Sequence, residues 1–164
     1  MKKFMYTAIV AIVLINFASC KKDFDAGGTT QQQLTNEWWA KLLLKGQDQT
    51  GYQKYLTYNT SSMDSLWVDD QKNGYGFKVK AGFDASAQTF STSTAGSPNS
   101  YYVGTPNFPA TARIMDGKVI TRGARSPSGV ITDSIYFRVI FSDDPTDTFT
   151  VAGYGRTNRA EDDH

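Results

Sequence analysis

The side chains that most often carry nucleophilic catalysis are scarce in this chain, which has one histidine, His164, and one cysteine, Cys20. A serine or cysteine nucleophile usually needs a histidine base within hydrogen-bond reach. His164 follows three acidic residues, in a segment that we expect to be a solvated tail. The Gly-x-Ser-x-Gly motif is also missing. A serine activated by a lysine stays open, because spacing alone does not exclude it.

Two pairs of adjacent carboxylates, Asp69-Asp70 and Asp143-Asp144, are the other candidates for chemistry. Glycoside hydrolysis uses two carboxyl groups that face one bond, whereas adjacent residues of a strand point to opposite faces. Asn-Gly or Asp-Pro steps lie close to each pair, so turns are favoured. Neither pair has the spacing of a calcium-binding loop. We therefore predict no catalytic residue, no metal site and no cofactor.

The start of the chain has the layout of a secretory signal peptide, with a basic beginning, an apolar run and small residues. Cys20 follows these small residues directly, and the segment resembles the lipobox of bacterial lipoproteins, in which this cysteine is acylated. We expect a signal peptide over residues 1–19, an acylated Cys20 with a flexible linker over 20–33, and one folded domain over 34–164. Two or three acyl chains would anchor the protein stably, since each buried methylene contributes about 0.8 kcal/mol. We expect attachment to the outer membrane of a Gram-negative cell envelope, on the periplasmic face or the cell surface.

The charge balance argues against a nucleic-acid partner. The chain has 17 basic and 16 acidic residues, and residues 1–19 hold two of the lysines and no acid, which leaves 15 basic and 16 acidic residues. Proteins that bind nucleic acids need a basic stripe. Aromatic residues make up 13% of the chain, which favours β structure.

Alternation with a period of two predicts strands with one buried face. The clearest inward sets are Tyr75, Phe77, Val79 and Ala81; Ile135, Phe137, Val139 and Phe141; and Phe149 with Val151. Shorter candidates are KYLTYNT, SLWVDD, AQTFST, NSYYVG, TARIM and KVITRGA. The Asp116-Gly117 step between the last two predicts a tight hairpin. The segment NEWWAKLLL fits a helix or a strand, and the strand propensity of tryptophan favours the strand.

Several segments together resemble a known family. They are NEWW, YLTYNTSSMDSLWVDD, FKVKAGFD, QTFS and the closing GYGRTNRAEDD. Across roughly residues 34–163 the sequence is similar to the lipocalin-like bacterial lipoproteins described as lipid-binding putative hydrolases. The resemblance implies an all-β fold, an antiparallel lipocalin-like β-barrel whose interior holds an apolar ligand.

The leading hypothesis is a non-enzymatic, lipid-anchored envelope protein that binds a small apolar or amphipathic, lipid-like ligand. We predict that aromatic residues line its pocket, namely Trp38, Trp67, Tyr75, Phe77, Phe137 and Phe149. Trp38 and Trp67 fit core packing as well as a pocket. A structural module that contacts an envelope partner, and a hydrolase of undefined substrate, are the alternatives.

Overall fold

The computed structural model describes residues 28–105 and 108–164. The predicted signal peptide, Cys20 and the first part of the predicted linker lie outside these residues. Ten strands follow one another in the described ranges: β1 (Asn36–Leu44), β2 (Gln47–Asp48), β3 (Gln53–Asn59), β4 (Ser65–Asp69), β5 (Lys78–Asp84), β6 (Thr89–Ser91), β7 (Ser97–Pro98), β8 (Thr111–Arg125), β9 (Ile131–Phe141) and β10 (Asp144–Gly155). Single 3₁₀ turns occupy Gln32–Leu34 and Ala160–Asp162.

Eight of the strands form a closed antiparallel barrel, as the sequence predicts. Their order is β1, β3, β4, β5, β6, β8, β9 and β10, and β10 pairs with β1 to close the ring. The closing register runs from Trp38 opposite Gly155 to Leu44 opposite Phe149. The two-residue strands β2 and β7 extend β1 and β8 outside the ring. In the part of the chain that the structure describes, no helical segment has the length and apolarity needed to cross a membrane.

The first strand confirms the prediction made for NEWWAKLLL. Trp38, Ala40 and Leu42 are buried inside the barrel, while Trp39 and Lys41 point outward between them because successive side chains of a strand alternate. Antiparallel strands β5, β9 and β10 show the same alternation, and their predicted inward residues belong to one hydrophobic core.

The hairpin predicted at Asp116-Gly117 is wrong. These residues lie within the continuous strand β8, where the register with β9 shifts between Met115 and Lys118. Asp116 has a φ of 54°, and its carboxylate forms an ion pair with Arg138 of β9. A β-carbon at Gly117 would lie 2.3 Å from the carbonyl oxygen of Phe90. Residues that tolerate positive φ and close approach suit a β-bulge as well as a turn.

The strand predicted for NSYYVG is also wrong. Residues 99–104 form turns between β7 and β8, organised by the buried side chain of Asn99. Its amide donates to the carbonyl oxygens of Gly76 at 3.0 Å and Pro109 at 2.9 Å, and its oxygen accepts from the Lys78 amide at 3.0 Å. The side chain thus supplies the hydrogen bonds that a strand partner would supply.

The predicted solvated tail instead packs on the outside of the barrel. Arg156 bonds Glu37 of β1 at 3.0 Å and Asp163 at 2.7 Å. Asp162 is fully buried and accepts from the Ser128 amide at 2.7 Å. His164 stacks on Tyr52 with ring centroids 4.5 Å apart. The segment from Arg156 to His164 covers the seam between β1 and β10, and we call it the C-terminal clasp.

Candidate ligand-binding site

The barrel interior is a continuous stack of aromatic rings. Phe77 and Phe137 lie at its centre, with centroids 6.3 Å apart, and Phe90 approaches Phe137 at 5.7 Å. Tyr55 lies 6.3 Å from Phe77 and 6.5 Å from Phe137. These spacings are those of edge-to-face and tilted aromatic contacts. The rings therefore fill the centre of the barrel against one another.

One end of the barrel, where the chain enters β1, is closed by Trp38. Its side chain is almost fully buried, and the indole Nε1–H donates to the hydroxyl of Thr57 at 2.8 Å. The Thr57 hydroxyl in turn donates to the carbonyl oxygen of Leu34 at 2.5 Å. Leu34, in the first 3₁₀ turn, is itself buried. We call this the Trp38 end.

The opposite end is closed by Tyr75, which belongs to the loop between β4 and β5. The Tyr75 ring stacks on Phe141 with centroids 3.7 Å apart and an angle of 9°, and it meets Phe149 edge-on at 5.4 Å. Its hydroxyl donates to Asp143 at 3.3 Å, on the exposed β9–β10 turn. Tyr75 is partly exposed, and burial raises the pKa of its phenol to about 12, with help from Asp143. We call this the Tyr75 end.

The loop that carries Tyr75 is built on the carboxylate of Asp70. This fully buried group accepts from the amides of Gly76 at 2.7 Å, Phe77 at 2.8 Å and Lys72 at 2.9 Å. Burial raises the pKa of Asp70, and the three amide hydrogen bonds act in the opposite direction. Gly76 has a φ of 90°, a conformation that glycine adopts without strain. The loop is thus fixed at its base by Asp70, while the Tyr75 ring lies at the rim of the barrel.

The neighbouring carboxylate, Asp69, has different partners. It accepts from the hydroxyls of Tyr101 at 2.6 Å and Tyr58 at 3.0 Å, on the outer face of the barrel. Lys78 lies 4.0 Å away. Because Asp69 and Asp70 serve separate networks, they do not face one bond as a pair of glycosidase carboxylates would. The turn predicted after this pair is present from Asp70 onward.

Five of the six aromatic residues predicted to line a pocket lie inside the barrel. Phe77 and Phe137 are central, Tyr75 and Phe149 lie at one end, and Trp38 closes the other. Trp67 lies on the outer face, beneath the ammonium groups of Lys78 and Lys80. The structure therefore distributes five along the interior, at its centre and both ends, and places the sixth outside.

A surface groove lies across β5, β6 and β8, with a volume of about 600 Å³. Outward polar side chains form much of its lining, among them Asp84, Thr89 and Lys118. It follows the shortest seam of the barrel, where β6 pairs with β8 through Thr89–Lys118 and Phe90–Gly117. Apolar atoms nevertheless supply the larger part of its exposed surface.

Comparison with known protein families gives a match over residues 23–160, to the family described as lipid-binding putative hydrolase. That match covers most of the chain. The chain belongs to this family.

A crystal structure of a protein of unknown function from Bacteroides ovatus, at 2.40 Å resolution, is similar to this chain with a TM-score of 0.44 and 14% identity. The similarity covers 75% of the chain and 42% of the Bacteroides ovatus protein, so the chain spans less than half of that protein's length. A comparison with curated proteins found no match.

No group of three or more His, Cys, Asp or Glu side chains that could hold a metal ion occurs among residues 28–105 and 108–164. His164 bonds the hydroxyl of Tyr154 at 2.6 Å and is engaged in the C-terminal clasp.

Sequence reasoning missed the contributions of Phe141 and Tyr101 to these sites. Phe141 is the partner on which Tyr75 stacks, and its strand alternation had already placed it inward. Tyr101 bonds Asp69 from a distance of 32 residues along the chain. The sequence carries no local signal for that contact, since only the fold of the 99–104 turn brings them together.

Proposed function

We propose that the barrel binds a small apolar or amphipathic, lipid-like ligand at its Tyr75 end. The family and the barrel fold support a lipid-binding role. The observation that carries the location is the closure of this end by a loop residue. Tyr75 contacts the interior by stacking on Phe141, and its hydroxyl forms one 3.3 Å hydrogen bond at the surface.

Displacement of the Tyr75 ring would expose the upper part of the interior. Phe141 and Phe149 contact the Tyr75 ring, and Phe77 lies beyond them, 5.4 Å from Phe141. An acyl chain entering here would replace the stacking contact with its own apolar surface, at about 25 cal/mol per Å² of surface buried. The polar head would stay at the rim, near Asp143 and the Lys45–Asp147 ion pair. Phe137 would contact only a tail that reaches the centre.

The test is titration with a fluorescent fatty acid, using a domain that begins at residue 28 and whose circular dichroism shows it to be folded. We expect saturable binding in the titration. In stopped-flow mixing, the association rate should be higher for Tyr75→Ala, because the entrance is then open. Phe149→Leu should weaken binding by removing an aromatic contact. Tyr136→Ala is the matched control, since Tyr136 is an aromatic residue on the outer face that is 40% exposed. Absence of saturable binding, or equal effects of Tyr75→Ala and Tyr136→Ala, would contradict the proposal.

We further propose that Cys20 is acylated and anchors the domain to the outer membrane of the cell envelope. The small residues before Cys20 and the polar segment after it support this proposal. Metabolic labelling with palmitate should mark the wild-type protein and not Cys20→Ala. Equal labelling of both would refute the anchor.

A second candidate function, contact with an envelope protein, is favoured by one exposed apolar region. Val103 is 73% exposed and Phe108 is 49% exposed, in the connection between β7 and β8. Phe108 stacks on Tyr102 with centroids 4.5 Å apart. A photo-crosslinking residue at position 103 should capture a single envelope protein if this function is correct. The same residue at the exposed position 120 serves as the control.

A further inference from the structure

Four side chains form a basic aromatic patch on the outside of the barrel. Strand register places Tyr58 directly opposite Trp67, and Trp67 directly opposite Lys80. The ammonium groups of Lys78 and Lys80 lie 5.0 Å and 5.1 Å from the Trp67 ring centroid. Lys78 also lies 5.4 Å from the Tyr58 ring. We call these four residues the Trp67 surface.

The acidic groups near this patch differ in exposure. The Asp69 carboxylate is 4% exposed and is engaged by the Tyr58 and Tyr101 hydroxyls. Asp64 is exposed and accepts a hydrogen bond from Ser62 at the β3–β4 turn. Lys72, whose ammonium lies 4.8 Å from the Tyr101 ring, adds a third cation on the same side. The solvent-facing charge of the patch is therefore net positive.

The turn beside the Trp67 surface ends in an exposed methionine. Met63, between β3 and β4, is 81% exposed. The beginning of the described chain packs against this same turn, where the Asn59 amide donates to Thr29 at 3.0 Å and the Gln31 amide donates to the Ser62 carbonyl at 3.3 Å. Cys20 precedes Gly28 by eight residues, which span at most about 28 Å. The predicted acylation site is therefore within reach of this turn.

We propose that the Trp67 surface and Met63 dock onto an anionic lipid bilayer, so that the barrel lies against the membrane that its anchor enters. Tryptophan and tyrosine favour the interface between headgroups and acyl chains. Lysines beside them attract anionic headgroups. Because the described chain begins beside the Met63 turn, this face lies within reach of the anchor. This inference rests on the anchoring proposed for Cys20 and is separate from ligand binding at the Tyr75 end.

The test uses the full acylated chain, reconstituted into phosphatidylcholine vesicles whose acyl chains carry bromine, with or without phosphatidylglycerol. Bromine quenches tryptophan fluorescence at short range, and Trp38 and Trp39 are buried. We expect stronger quenching with phosphatidylglycerol, and loss of the additional quenching in Trp67→Phe. Lys78→Gln combined with Lys80→Gln should return quenching to the level of neutral vesicles. Lys118→Gln combined with Arg159→Gln removes the same charge elsewhere and should leave the additional quenching intact.

Flotation of the vesicles separates this inference from the anchor. Chains that float with the vesicles but show no additional quenching overturn the docking surface and leave the anchor standing. Chains that fail to float together with neutral vesicles refute the anchor. Additional quenching by anionic vesicles would in that case still support docking. A change in Trp67 emission with soluble polygalacturonate, and none with anionic vesicles, would overturn the bilayer in favour of an acidic polymer. Near-ultraviolet circular dichroism establishes that each variant is folded.

Discussion

The two ends of the barrel are closed in different ways. At the Trp38 end, a residue of β1 is buried and joined by hydrogen bonds through Thr57 to Leu34. At the Tyr75 end, a loop residue rests on Phe141 and is held at the rim by one hydrogen bond to Asp143. A plug that belongs to the sheet moves only with the sheet, whereas a ring on a loop can move alone. The difference predicts a permanent base and an entrance.

The largest effect should come from removing the base, with Trp38→Ala. Truncating a buried tryptophan typically costs about 3–5 kcal/mol, from lost burial and from the cavity that remains. The free energy of unfolding, measured with urea, should fall by this amount. A loss of less than about 1 kcal/mol would show that Trp38 contributes little to the stability of the core.

The second effect concerns the base of the Tyr75 loop. Asp70→Ala leaves the amides of Gly76, Phe77 and Lys72 without their acceptor, and an unpaired buried donor costs about 1–3 kcal/mol. We expect the unfolding free energy to fall by about 3 kcal/mol and fatty-acid binding to change with it. Asp69→Asn, one residue away, is the control and should cost less. Equal costs would show that the hydrogen bonds of Asp70 contribute no more to stability than those of Asp69.

Thr57→Val tests the hydrogen bonds that close the Trp38 end, because it keeps the shape of the side chain and removes its hydroxyl. The Trp38 indole N–H then loses its acceptor, and the Leu34 carbonyl loses its donor. We expect a loss of about 1–2 kcal/mol in urea unfolding, with no change in the rate of fatty-acid binding. A change in that rate would indicate that ligands enter at the Trp38 end.

The smallest effect on stability should come from Tyr75→Phe, which removes only the bond to Asp143. An exposed hydrogen bond contributes about 0.5 kcal/mol or less. Stopped-flow measurement should nevertheless show faster fatty-acid binding, because the ring is then held by stacking alone. Slower or unchanged binding would argue against Tyr75 as the moving part.

The sequence predicted the inside of this barrel better than its connections. Alternation in β1, β5, β9 and β10 reports which side chains avoid water, and that preference is local. The hairpin predicted at Asp116-Gly117 was wrong because a hairpin turn and a β-bulge require the same backbone freedom. The burial of Asp162 and the contact between Tyr101 and Asp69 depend on residues far apart in the chain. No short segment could have revealed them.

The positions of the proposed site residues were likewise predictable in part. The inward phase of Phe77, Phe137 and Phe149 followed from their strands, and all three lie in the interior. The outward position of Trp67 also follows from its strand, because Leu66 and Val68 on either side of it are buried. Its neighbours Lys78 and Lys80 became visible only when the register of β4 and β5 was known. The mobility expected of Tyr75 arises from its place on a loop rather than from its residue type.

The pairing of β1 with β10 has a consequence for the kinetics of folding. Trp38 meets Gly155, and Arg156 and Asp163 then fasten Glu37 and the outer face of β1. Contacts between such distant parts of a chain raise the contact order and slow folding. The ring cannot close until its final strand is available. A growing chain therefore presents an unpaired β1 edge through most of its synthesis, which is the interval in which a chaperone would have the most to protect.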